Sequence, residues 1–151
     1  MVIGMVKGAK KLEVLTTSGA PLFIYDLENM KIDKETLLAT TGDLTLRSSL
    51  LVAALQALAA SGGNLHIAET DEGKHLFVQK DEIVVHVLLS KDVDPYYEKY
   101  HYLAHGVAAA VVQLHEELNI DPTLMLVNDY LEEVGTILDK FIKRLLQRLH
   151  M

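Results

Sequence analysis

LTLRSSLLVAALQALAA, residues 44–60, decides the architecture of this chain. Leu50, Leu51, Ala54, Leu55 and Leu58 recur at helical spacing and make one broad apolar stripe. Leu46, Val52, Ala53, Ala57 and Ala59 spread apolar surface over much of the remainder, and Arg47 is the only charge. A helix on a domain surface normally keeps one face polar. This one is apolar on two sides, which predicts a sheet beneath it and a partner above it. Ser61-Gly62-Gly63 ends it, because glycine accepts the left-handed backbone of a helix terminus.

Outward from that helix the chain alternates between strand and turn signals. Upstream, LEVLTTSGAPLFIYDL predicts strands over 12–16 and 21–26, joined around Ser18, Gly19 and Pro21. Asp33 is placed to cap a short helical turn through Leu38, which TTGD at 40–43 breaks. Downstream, NLHIAET (64–70) puts Leu65 and Ile67 on one face and His66 and Ala68 on the other. HLFVQ (75–79) and IVVHVLLS (83–90) follow across short acidic turns. The last of these is apolar nearly throughout, as suits a central strand covered on both faces. Asp94-Pro95 predicts the start of a long helix to about Leu118, with aspartate as N-cap and Ala and Gly in its second half for close approach to the sheet. Asn119–Pro122 interrupts it. A final helix over 123–149 carries a stripe of Leu124, Val127, Leu131, Val134, Leu138, Phe141 and Leu145. Residues 1–11 are read as an arm and 12–149 as a single domain.

Composition narrows the function classes. At 151 residues, with 50% hydrophobic and 23% charged positions, the chain has globular rather than disordered character. It has no cysteine, so disulfide frameworks, thiol catalysis and cysteine-ligated zinc are excluded. A net charge of -7 argues against nucleic-acid binding, which needs a basic surface. The opening MVIGMVKGAKK places its apolar part before its charges and is too short for a signal peptide. No uncharged run reaches the roughly 20 residues of a membrane span. A cytoplasmic protein without membrane contact is the expectation.

The order strand, strand, helix, three strands, helix, helix resembles the longin, or SNARE-like, fold, over most of residues 12–149. LEVLTTSGAPLFIYDL is similar to the first hairpin of longin and roadblock-type domains; LLVAALQALAASGGNLHIAET resembles their first helix and third strand. HLFVQKDEIVVHVLL resembles the hairpin that follows. The resemblance implies an α/β (α+β) fold: a five-stranded antiparallel sheet with one helix on one face and two on the other. It implies a non-catalytic, cofactor-free module that forms homodimers and scaffolds or regulates a small GTPase or a trafficking complex. Leu46, Leu50, Ala53, Ala57, His66 and Ala68 are then the self-association residues.

Chemical motifs are weak. His101 and His105 lie four apart on one helix face and are candidate metal ligands, but no HExxH pattern supplies a base, and two surface or interface histidines are the plainer reading. Asp92, Asp94 and Glu98 fit helix capping better than an ion site. Gly62-Gly63 follows a helix, whereas a phosphate cradle opens one. Ser18, Ser48 and Ser49 lack a nucleophile elbow. His86 reads as a hydrogen-bonded core histidine, pH-sensitive where it faces an interface. Tyr96, Tyr97, Tyr100 and Tyr102 form either a binding surface or the edge of the core. Lys140, Lys143, Arg144 and Arg148 complement the dipole of the last helix. Two rival classes are a small metal-binding enzyme using His101 and His105, and a ligand-sensing domain of the PAS or GAF type.

Overall fold

A computed structural model describes the backbone of residues 7–40, 45–62 and 65–150, and the side chains of 7–38, 53–62 and 65–149. Six strands build one antiparallel sheet: β1 (Ala9–Thr16), β2 (Pro21–Asp26), β3 (Lys31–Ile32), β4 (His66–Thr70), β5 (Gly73–Lys80) and β6 (Ile83–Leu89), in the order β3-β2-β1-β6-β5-β4. The sixth strand, absent from the sequence expectation of five, is the two-residue β3. It arises because Met30, in left-handed conformation, folds the chain back so that Lys31 and Ile32 pair with Asp26 and Tyr25. β1 also begins three residues earlier than expected, so Ala9, Lys10 and Lys11 belong to the sheet rather than to an arm.

Side-chain alternation divides the sheet into two faces. Leu12, Val14, Tyr25, Leu76, Val78, Val85 and Val87 point into the larger core. There they meet α3 (Glu98–Glu117) and α5 (Thr136–His150). Leu15, Phe77 and Val84 point to the opposite face and meet Ala54 and Leu58 of α2 (Thr45–Ser61). A short helix, α1 (Lys34–Thr40), precedes α2 and packs by β2. Its cap is as read from the sequence: Asp33 accepts from the Thr36 amide at 3.0 Å and the Thr36 hydroxyl at 2.7 Å.

Three helical details differ from expectation. α3 starts at Glu98, because Asp94 closes a turn instead of capping a helix: its carboxylate accepts from the Tyr96 amide at 2.9 Å and its carbonyl from Tyr97 at 3.1 Å. Gly106 of α3 opens space for Leu145 of α5 rather than for the sheet, since a Cβ there would lie 3.0 Å from the Leu145 Cδ2. The last helix is a 3-10 turn (Pro122–Leu124), then α4 (Val127–Tyr130), a π turn over Leu131–Gly135, and α5. The π turn widens the helix by one residue. The fully buried positions are Tyr130, Val134, Leu138, Ile142 and Leu146, with Leu131, Phe141 and Leu145 of the expected stripe packed partly buried beside them, and Leu124 is 83% exposed.

Tyr25 ties the sheet to α5, donating to Asp139 at 2.7 Å, and Asp139 also accepts from Lys143 at 3.2 Å. Burial first, then the neighbouring Asp139, holds the phenol well above its ordinary pKa. Tyr25→Phe keeps the ring and removes a hydrogen bond to a charged acceptor, so a loss of about 2 kcal/mol is expected in urea titration. A loss below about 0.5 kcal/mol would show that water replaces the phenol. Among the described residues no helix is long and apolar enough to cross a membrane.

Candidate functional site

The face carrying α2 holds both the surface predicted to associate and an unexpected polar chain. Ala54 and Leu58 are fully buried against Leu15, Phe77 and Val84, whereas Ala53 is exposed and Ala57 half-buried. The described half of α2 therefore turns Ala54 and Leu58 to the sheet and Ala53 away from it. Leu46 and Leu50 continue this helix in its backbone, but their side chains lie outside the described residues. β4 pairs only with β5 and is an end of the sheet, so its outer edge offers unpaired backbone groups among the described strands. His66 and Ala68 are half-buried on the face that α2 covers, with the His66 ring 6.0 Å from that of Phe77.

Register then assembles four polar residues. Glu13 of β1 sits opposite His86 of β6, and His86 sits opposite Phe77 of β5. His75 lies two residues before Phe77 on the same face, and Thr70 of β4 two residues beyond its partner Ala68. The side chains join into a diagonal across four strands: Glu13 Oε1 to His86 Nδ1 at 3.2 Å, His86 Nε2 to His75 Nδ1 at 2.8 Å, His75 Nε2 to Thr70 Oγ1 at 2.7 Å. The Glu72 amide donates to the same Thr70 oxygen at 3.2 Å. Glu13 and His75 are only 3% and 4% exposed. Phe77 lies flat on His86, centroids 4.5 Å apart and planes within 8°, and His75 lies edge to edge with His86, centroids 5.0 Å apart and planes within 17°.

With a Glu13 carboxylate and neutral imidazoles, one proton order gives each of these described contacts a donor and an acceptor. His86 donates through Nδ1 to Glu13, His75 donates through Nδ1 to His86, and the Thr70 hydroxyl donates to His75. Burial, and secondarily the neighbouring His86, lowers the His75 pKa from 6.5 to about 4, against a weaker pull upward by Glu72. The arrangement orders protons within the sheet.

The other candidates stand apart from this chain. His101 Nε2 is 3.1 Å from the Pro95 carbonyl and His105 is exposed, its pKa lowered by burial and then by His101. No group of three or more His, Cys, Asp or Glu among the described residues is arranged to hold a metal ion. The tyrosines divide: Tyr100 is buried and donates to the Lys7 carbonyl at 2.7 Å, while Tyr96 and Tyr102 are 66% and 58% exposed. Ser18 belongs to the β1–β2 turn, 2.7 Å from the Thr16 hydroxyl.

Sequence reasoning singled out His86 but missed Glu13, His75 and Thr70. A local signal existed for two of the strands: LEVL and IVVHVLL each set one polar residue inside an apolar run, whereas His75 follows Lys74 at the start of HLFV. That Glu13, His86 and His75 converge depends on cross-strand register, which no segment contains. Compared with known protein families and with characterised proteins, the chain matches none.

Proposed function

We propose that this chain is a non-catalytic interaction module of longin-like architecture. It self-associates through α2 and the β4 edge, and scaffolds or regulates a small GTPase or trafficking-type complex. The observation that carries this reading is the exposure of Ala53, Ala59 and Ala60 on a helix that buries Ala54 and Leu58 against the sheet. The open edge of β4 lies beside it. Small apolar side chains next to an unpaired strand favour a flat, close contact with a second copy, and a two-fold pair is the simplest closed assembly. The strand order β2-β1-β6-β5-β4 and the placing of α2 between the first hairpin and the three-strand meander support the longin likeness. Fold likeness alone does not assign an activity, so self-association is the part to test first.

Light scattering after size exclusion at micromolar concentration is expected to give twice the chain mass of 16.8 kDa. Ala53→Glu, which sets a charge at the centre of the contact, is expected to weaken association at least tenfold with the fold intact. Ala109→Glu, at an exposed position of α3, is expected to leave it unchanged. A wild-type monomer at that concentration would overturn the self-association reading.

A further inference from the structure

Self-association explains α2 and β4 but leaves the buried chain beneath them without a role. We propose that Glu13, His86, His75 and Thr70 form a proton-counting switch that keeps α2 seated while the two imidazoles share at most one added proton and releases it when both are charged. The release of α2 stands by itself; its effect on assembly rests on the self-association reading above.

The count follows from one contact. His86 Nε2 and His75 Nδ1 lie 2.8 Å apart, which requires a hydrogen on one nitrogen and a lone pair on the other. A first proton taken up from water is held by reversing half the chain. His86 becomes an imidazolium donating to Glu13 on one side and His75 on the other, and His75 moves its own hydrogen to Nε2 and donates to Thr70. A second proton puts hydrogens on both facing nitrogens and two positive rings 5.0 Å apart. No tautomer relieves that state, and the rings must part.

Phe77 transmits the movement. Its ring lies against His86, and it packs with Leu15, Val84, Ala54 and Leu58, the small cluster on which α2 sits. The larger core under α3 and α5 shares none of these residues. Separation of the imidazoles therefore acts on the α2 layer and spares the other.

Among the described residues, Glu13 on β1 and Glu72 in the β4–β5 turn favour the charged imidazoles, and Glu72 is exposed. Lys11, also on β1, is 3.7 Å from Asp33, the residue that caps α1. His66 on β4 reaches the group through Phe77. Ala53–Ser61 of α2 carries no titratable residue, and Arg47 lies where side chains are not described.

Hydrogen exchange by mass spectrometry on the full chain tests the switch at pH 7.5 and pH 5.0, with each amide corrected for its intrinsic rate. His75 at about 4 when α2 is seated and at 6.5 when it is released gives about a 30-fold rise in α2 opening at the lower pH. The α3 amides are expected to change less than threefold. His75→Gln, or His86→Gln should the first fail to fold, is expected to abolish the difference between the helices. Equal pH response of α2 and α3 in the wild-type protein would overturn the switch. Light scattering on the same samples separates the two readings. A monomer at both pH values removes the assembly and leaves the switch standing, whereas a dimer with unchanged α2 protection removes the switch alone.

Discussion

Phe77→Ala is expected to lower stability by about 4 kcal/mol, the largest loss at any single position on the α2 face. Phe77 is fully buried and central in two ways. It fills the space beneath Ala54 and Leu58, and its ring covers His86 and flanks His66 and His75. Truncation leaves a cavity and also opens a path for water to the imidazole pair. Phe77→Leu keeps most of the volume and should cost less than about 1.5 kcal/mol. Urea unfolding followed by circular dichroism measures both. A cost near 1 kcal/mol for the alanine variant would mean that α2 closes over the gap and is not seated on this ring.

Stability should also fall by about 3 kcal/mol as pH drops from 6.5 to 4. The sign comes from His75, whose pKa moves from 6.5 in the unfolded chain to about 4 in the fold. Between those values the unfolded chain binds a proton that the folded chain refuses, so acid favours unfolding across that window. Above it both forms are neutral and the contribution is constant. His115, half-buried and bonded to the Tyr130 hydroxyl at 2.7 Å, has its pKa lowered by desolvation and adds loss of the same sign. Asp26 and Asp33 also have lowered pKa values, but their contributions disappear only as pH falls below the carboxylate range. The histidine loss is therefore separated in pH from ordinary acid denaturation. Urea midpoints at pH 7, 5.5 and 4.5 should show it, and His75→Gln should flatten most of the slope. A flat profile in the wild-type protein would mean that water reaches His75 in the folded state.

Much of the fold is legible in the sequence because its signals are local. The two-residue alternation of NLHIAET, the turn residues around Gly19 and the helical stripe over 44–60 each act within a few residues. β2, β4, β5, β6 and α2 fall close to where those signals set them. β3 was not legible, because a two-residue strand exists only by virtue of Tyr25 and Asp26 beside it. The stripe of the last helix was legible in part: Val134 and Leu138 are fully buried and Leu131, Phe141 and Leu145 pack against the core, but Leu124 is exposed and Tyr130, Ile142 and Leu146 were not foreseen. A π turn changes the number of residues per turn, and no pattern assuming a constant period contains it.

The candidate site divides along the same line. Sequence by itself marked a helix near 44–60, found over Thr45–Ser61, with apolar residues on more than one side, since composition and period are properties of the segment. It also marked His86 as a polar residue in an apolar strand, while Glu13 and His75 passed unremarked. Only the tertiary structure decided that Ala54 and Leu58 face the sheet, and that Glu13, His86 and His75 meet. Glu13 and His86 are 73 residues apart in the chain and 3.2 Å apart in the fold. Backbone hydrogen bonds between β1 and β6 set that distance, and a register shifted by one residue would send one of the two side chains to the other face.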